Sequence, residues 1–104
     1  MTELKTERGD SVRIADEVLA IIAGNAALES EGVAALVGPG RKGRRARGIS
    51  VVVKKQSVML GILLKVKADK KLQDVSREVQ QRVKSAIETM TGMRVAAVNV
   101  TVVA

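Results

Sequence analysis

The 104-residue sequence contains no cysteine, no histidine and no aromatic side chain. Without cysteine there is no disulfide framework, no thiolate nucleophile and no zinc site of the Cys type. Without histidine the commonest general base and the commonest transition-metal ligand are missing. Without Phe, Tyr or Trp the core must be assembled from Val, Ile, Leu, Ala and Met, which bury less area per residue and demand close approach of helices and strands. The longest apolar run, residues 58–64, is far short of the ~20 residues that a membrane-spanning helix needs. The first ten residues are polar and carry no apolar stretch, so they do not read as a secretory signal. Together these absences exclude the usual histidine, cysteine and transition-metal enzymes and leave a binding or scaffolding role, with no cofactor and no small-molecule substrate expected.

What the sequence does have is apolar aliphatic material, at 46%, and a net charge of +7. A chain of this length makes one domain with one modest core. The positive charge favours acidic partners such as nucleic acid, anionic lipid head groups or an acidic protein. Much of it is local. Arg41, Lys42, Arg44, Arg45 and Arg47 fall within seven residues, and without them the net charge drops to +2. They lie in the segment GPGRKGRRARG, residues 38–48, which holds four glycines and the only proline. Nothing there can pack, so it reads as a mobile loop.

Along the chain, residues 1–9 read as a flexible tail and residues 10–104 as a single domain. Val12 and Ile14 alternate with Arg13 in a short strand. A helix follows from Asp16 to about Ser30, with Val18, Ile21, Ile22, Ala26 and Leu28 as its apolar stripe and Asp16 and Glu17 in the first turn, where the helix dipole favours negative charge. Gly24 points to a close approach of this helix to a sheet, and Gly32 to a C-terminal cap. Residues 33–36 return to the core. Residues 49–55 and 57–68 alternate as two strands joined at Lys55-Gln56. A second helix, residues 72–91, places Leu72, Val75, Val79, Val83, Ala86, Ile87 and Met90 on one side, carries a Glu78–Arg82 pair in the favourable orientation and stops at Gly92. A final strand has Val98, Val100 and Val102 on one face and Asn99 and Thr101 on the other.

The expected order is therefore strand, helix, strand, strand, helix, strand. It implies an α+β fold: a small mixed sheet of three or four strands with both helices on one face. The last strand returns through a helix and should run parallel to the strand it left. The other sheet face would then expose Val52, Met59 and Leu63, bordered by Lys54, Lys65 and Lys67, as a small apolar strip suited to self-association.

Three stretches carry a family resemblance: VRIADEVLAIIAGNAALESEGVAAL (residues 12–36), RGISVVV (residues 47–53) and VSREVQQRVKSAIETMTGMRVAAVNVTV (residues 75–102). In this order they resemble the alkaline shock protein family, the envelope stress response proteins of Gram-positive bacteria. The resemblance implies a cytoplasmic protein gathered at the inner face of the membrane, a membrane-anchored or envelope-associated partner, a tendency to homo-oligomerise and no catalytic residues. The arginine-rich loop departs from that pattern and raises direct contact with lipid.

The loop suits phosphate oxygens, because the planar guanidinium donates two hydrogen bonds to one phosphate. Its Gly40-Arg41-Lys42-Gly43 spells the GxxG clamp of KH-type RNA modules, but a strand follows where that module needs a helix, and no aromatic ring offers a base a stacking partner. Nucleic acid is thus the alternative partner rather than the first. Asp16 and Glu17 point to different sides of a helix, and Asp74 and Glu78 lie beside Arg77 and Arg82, so neither pair forms an acid/base dyad. Ser11, Ser50, Ser57 and Ser85 have no histidine to activate them. The sequence reads as a non-enzymatic, membrane-proximal scaffold or adaptor of the envelope stress response.

Overall fold

The structure, a computed structural model, describes residues 2–5, 11–38, 47–55 and 57–103. Its elements are β1 (Thr2–Lys5), β2 (Ser11–Ile14), α1 (Asp16–Glu29), β3 (Val33–Leu36), β4 (Ile49–Lys54), β5 (Ser57–Val66), α2 (Leu72–Thr91) and β6 (Arg94–Val102). The fold is α+β, and its main sheet is mixed: β3 and β4 pair antiparallel with β5, and β6 pairs parallel with it. The parallel return through α2 follows the expected topology. Two details differ. The strand at residues 11–14 does not join this sheet but pairs antiparallel with β1, within the segment read as a tail, in a separate two-stranded ribbon. The fourth strand of the main sheet is instead β3, whose short Val-Ala-Ala-Leu run carries too little alternation to declare itself.

β5 is the organising strand. Val58, Leu60, Ile62 and Leu64 are fully buried on its inner face, and Ile49, Val51 and Val53 of β4 pack beside them. α2 covers this face with Val75, Val79, Val83 and Ile87, the i, i+4, i+8 and i+12 positions of one helical stripe. Leu72 and Met90, at the ends of the expected stripe, are exposed. α2 ends at Gly92, which adopts φ +73° and donates its N–H to the Glu88 carbonyl at 2.9 Å.

α1 corrects the sequence reading more strongly. Its buried side is Leu19, Ala20, Ala23, Ala26 and Ala27, whereas Val18 and Leu28 face outward. The helix is apolar nearly all round, so the pattern did not mark the inner face; the small alanines are inside because they let α1 approach α2 and the sheet closely. Gly24 is buried in the middle of α1. Gly32 does not cap the helix with a left-handed turn. Ser30 follows α1 in extended geometry, and Gly32 is needed because a β-carbon there would collide with Val75.

Candidate functional site

β3 and β4 run in the same direction along the same edge of β5, one after the other. Leu36 pairs with Leu64, and Ile49 pairs with Ile62. Between them, Leu63 closes both ends: its carbonyl accepts the Val37 N–H at 3.0 Å, and its own N–H donates to the Gly48 carbonyl at 3.1 Å. The two short strands are thus one interrupted edge strand, and residues 39–46 are an insertion that leaves and re-enters at Leu63.

The neck of this insertion is built from glycine for steric reasons. Gly38 has φ +115° and Gly48 φ +71°, a region that side chains disfavour. A β-carbon on Gly48 would meet the Val37 carbonyl, and one on Gly38 would lie 3.2 Å from the Gly48 Cα. Arg47 fastens the neck, donating from Nε to the Gly38 carbonyl at 3.0 Å while remaining exposed. Of the five basic residues expected to contact anions, Arg47 is therefore placed at the neck. Arg41, Lys42, Arg44 and Arg45 lie outside the described residues. The described residues on either side, Gly38 and Arg47, lie together at the sheet edge.

The expected apolar strip is placed on the uncovered face, but it is divided. Val52 pairs with Met59 across β4 and β5, and the two are 50% and 42% exposed. Leu63 lies two rows away, half-buried against Gly38 and Gly48. Between them is the row Ser50–Gly61–Asn99. A β-carbon on Gly61 would sit 2.5 Å from the Ser50 Oγ, so the glycine gives the serine side chain room to lie across the sheet. The result is a hollow of about 310 Å³ lined by Ser50, Gly61, Leu63, Asn99 and Thr101 among others, beside the neck. Single-residue alternation could not show it, because it depends on which residues align across three strands.

Charge is divided between the two layers. From residue 33 to residue 68 there are nine Lys and Arg and no Asp or Glu. Strand alternation puts Lys54 and Lys65 on the uncovered face with Met59, and both are exposed. α1 carries Asp16, Glu17 and Glu29 with no basic residue, and α2 carries three acidic and three basic residues. The sheet side is therefore cationic well beyond the loop, and the helix side is neutral to acidic. Asp74, Glu78, Arg77 and Arg82 all belong to α2, where Arg82 Nε donates to Glu78 Oε1 at 2.9 Å. This is an ordinary exposed helix pair, worth a few tenths of a kcal/mol. Among the described residues no three His, Cys, Asp or Glu side chains converge to hold a metal, and no helix is long and apolar enough to cross a membrane.

Comparison with known proteins adds a family. The model of the alkaline shock protein 23 family, described as having a cell envelope-related function, matches residues 3–104. The uncharacterized protein YloU of Bacillus subtilis (strain 168) is 27% identical over 108 residues, covering 94% of this chain and 89% of that protein. Among solved structures, two of the MamM C-terminal domain, one of them a manganese form, superpose with TM-scores of 0.57 at 14% identity, covering 86% of this chain and 99% of theirs. At that identity the likeness concerns the fold.

Proposed function

The chain belongs to the alkaline shock protein 23 family, whose function is cell envelope-related, and from that premise we propose that it is a non-enzymatic scaffold or adaptor that works against an anionic, membrane-proximal surface. The observation that carries this reading is the separation of charge: nine basic residues and no acidic one between residues 33 and 68. The insertion bearing four of them, with Arg47 at its neck, joins the edge of the same layer. Arg41, Lys42, Arg44, Arg45 and Arg47 supply the phosphate contacts. Lys54 and Lys65 extend the cationic surface across the open face. In this reading the protein is cytoplasmic and peripheral at the inner face of the membrane, with a membrane-anchored or envelope-associated protein as its partner.

The exposed Val52–Met59 pair is the apolar contact through which copies gather on that surface. Two such faces are both cationic and repel in dilute salt. Gathering through this face therefore depends on anions, which links self-association to the surface that recruits the protein.

The test is co-sedimentation with vesicles of phosphatidylglycerol and phosphatidylcholine against pure phosphatidylcholine. Each basic residue near an anionic surface contributes ~1 kcal/mol. Replacing Arg41, Lys42, Arg44, Arg45 and Arg47 with Ser should abolish sedimentation with the anionic vesicles. Unchanged sedimentation, or wild-type binding to RNA homopolymer but not to vesicles, would sink the lipid reading; the RNA result would move the loop to nucleic acid.

A further inference from the structure

The two edges of the main sheet are treated differently. One is the interrupted strand formed by β3 and β4, which carries the Gly38–Gly48 neck, Arg47, Lys54 and Lys55. Lysines and interruptions of this kind defend an edge against pairing. The other edge is β6, nine residues long. From Val95 to Val103 it has no charged residue, no proline and no glycine.

Backbone direction follows from the hydrogen bonds. Val103 N–H donates to the Leu64 carbonyl at 2.8 Å, so this residue faces β5. Alternate residues of a strand point their backbone groups in opposite directions, so Asn99 and Thr101 also face β5, while Val98, Val100 and Val102 face away. α2 covers the first part of that outer edge: Glu88 Oε2 accepts the Val95 N–H at 3.2 Å, and Gln80 Nε2 donates to the Val98 carbonyl at 3.1 Å. Beyond Val98 the cover ends. Among the described residues no strand pairs with the outer side of β6, and no side-chain hydrogen bond reaches Val100 or Val102.

A row of backbone donors and acceptors on an extended strand accepts an extended strand. We propose that the occupant is the β6 strand of a second copy, antiparallel about a two-fold axis at Val100, which joins two sheets into one. The edge is self-complementary in this arrangement. Val100 meets its own counterpart, and Val98, whose carbonyl takes Gln80 Nε2 on one lone pair and has the second free, lies opposite Val102 of the second copy. Asn99 lies opposite Thr101, so no like charges are brought together. Of the two edges of the main sheet among the described residues, this is the one where two copies of a +7 chain meet without opposing lysines or arginines. It is a different surface from the Val52–Met59 face and needs no anion.

The test uses the full chain and measures mass by sedimentation equilibrium at low and moderate salt, with amide exchange of Val100 and Val102. A dimer at both salts with slow exchange at these amides is expected. Val100→Pro removes an N–H that β5 does not use, which an edge strand tolerates, and should give a folded monomer. A second pair of variants keeps the test independent of proline. N99K with T101K in one chain puts lysines opposite lysines across the axis and should raise the dimer dissociation constant at least tenfold. N99K with T101E puts opposite charges there and should restore the dimer. A wild-type monomer, or a dimer indifferent to all three variants, overturns the proposal. Vesicle binding is read in a separate assay, so failure here leaves the loop reading standing and the reverse also holds.

Discussion

Leu63 donates its N–H to the Gly48 carbonyl at 3.1 Å, and this bond closes an edge strand that the chain leaves after Val37. Because the same residue also accepts from Val37 at 3.0 Å, β5 holds the strand on both sides of the break. The sheet should therefore form without the basic insertion. Shortening residues 39–46 to a Gly-Ser linker of four residues should change the unfolding free energy by less than about 1 kcal/mol, since loop-closure entropy varies slowly with length. The same variant should lose anionic-vesicle binding. Urea unfolding and co-sedimentation on one preparation check both halves.

Gly32 and Val75 form a second close contact, between the turn after α1 and the buried side of α2. Gly32→Ala should destabilise the fold by about 1–3 kcal/mol through overpacking. Val75→Ala alone should also destabilise, by loss of burial, yet the double variant should recover part of the first loss. A double-mutant cycle with a favourable coupling of at least ~0.5 kcal/mol is the expected reading, and strict additivity would show that the contact is relaxed elsewhere.

Two buried hydroxyls should respond in opposite directions. Ser30 is buried and its Oγ has no hydrogen-bond partner among the described residues, so Ser30→Ala should be neutral or stabilising by up to about 1 kcal/mol. Thr91 Oγ1 donates to the Ile87 carbonyl at 2.6 Å and accepts the Met93 N–H at 3.1 Å. Thr91→Val keeps the shape and removes both bonds, leaving the buried Met93 N–H unsatisfied, at a cost of about 1–3 kcal/mol. Thermal unfolding of the two variants side by side is sufficient.

Lys55 takes φ +53° in the turn between β4 and β5, where a β-carbon costs roughly 1–2 kcal/mol. Lys55→Gly should recover part of this, offset by the entropy glycine adds to the unfolded chain, for a net gain of several tenths of a kcal/mol in a urea titration.

How far these features were legible depends on whether they are local. α2 and the strands beside it declared themselves because Val75, Val79, Val83 and Ile87 keep helical spacing, and Val58, Leu60, Ile62 and Leu64 keep strict alternation. The Val52–Met59 pair followed from that alternation. α1 misled at Val18 and Leu28, because a helix apolar on most sides does not say which side is inside. Gly32 looks like a helix cap in the sequence, since only the distant Val75 shows why it must be glycine. β3 does not declare itself, because Val33 to Leu36 forms an edge strand only in register with β5. The continuity of β3 and β4 across the insertion, the hollow over Gly61 and the open edge at Val100 are all relations between strands. A single stretch of sequence does not contain them.

In the proposed function the sheet side, rather than total charge, meets the anionic surface. The decisive experiment compares two variants with equal loss of charge on phosphatidylglycerol-containing vesicles at 0.1 M salt, where the screening length is about 10 Å. One replaces Lys54, Lys65 and Lys67 with Gln; the other replaces Arg77, Arg82 and Lys84 of α2. At ~1 kcal/mol per residue the sheet-side variant should bind on the order of a hundredfold more weakly, while the helix-side variant binds as the wild type does. Equal weakening in both would show that the protein responds only to its net charge and that the sheet side has no special part in binding.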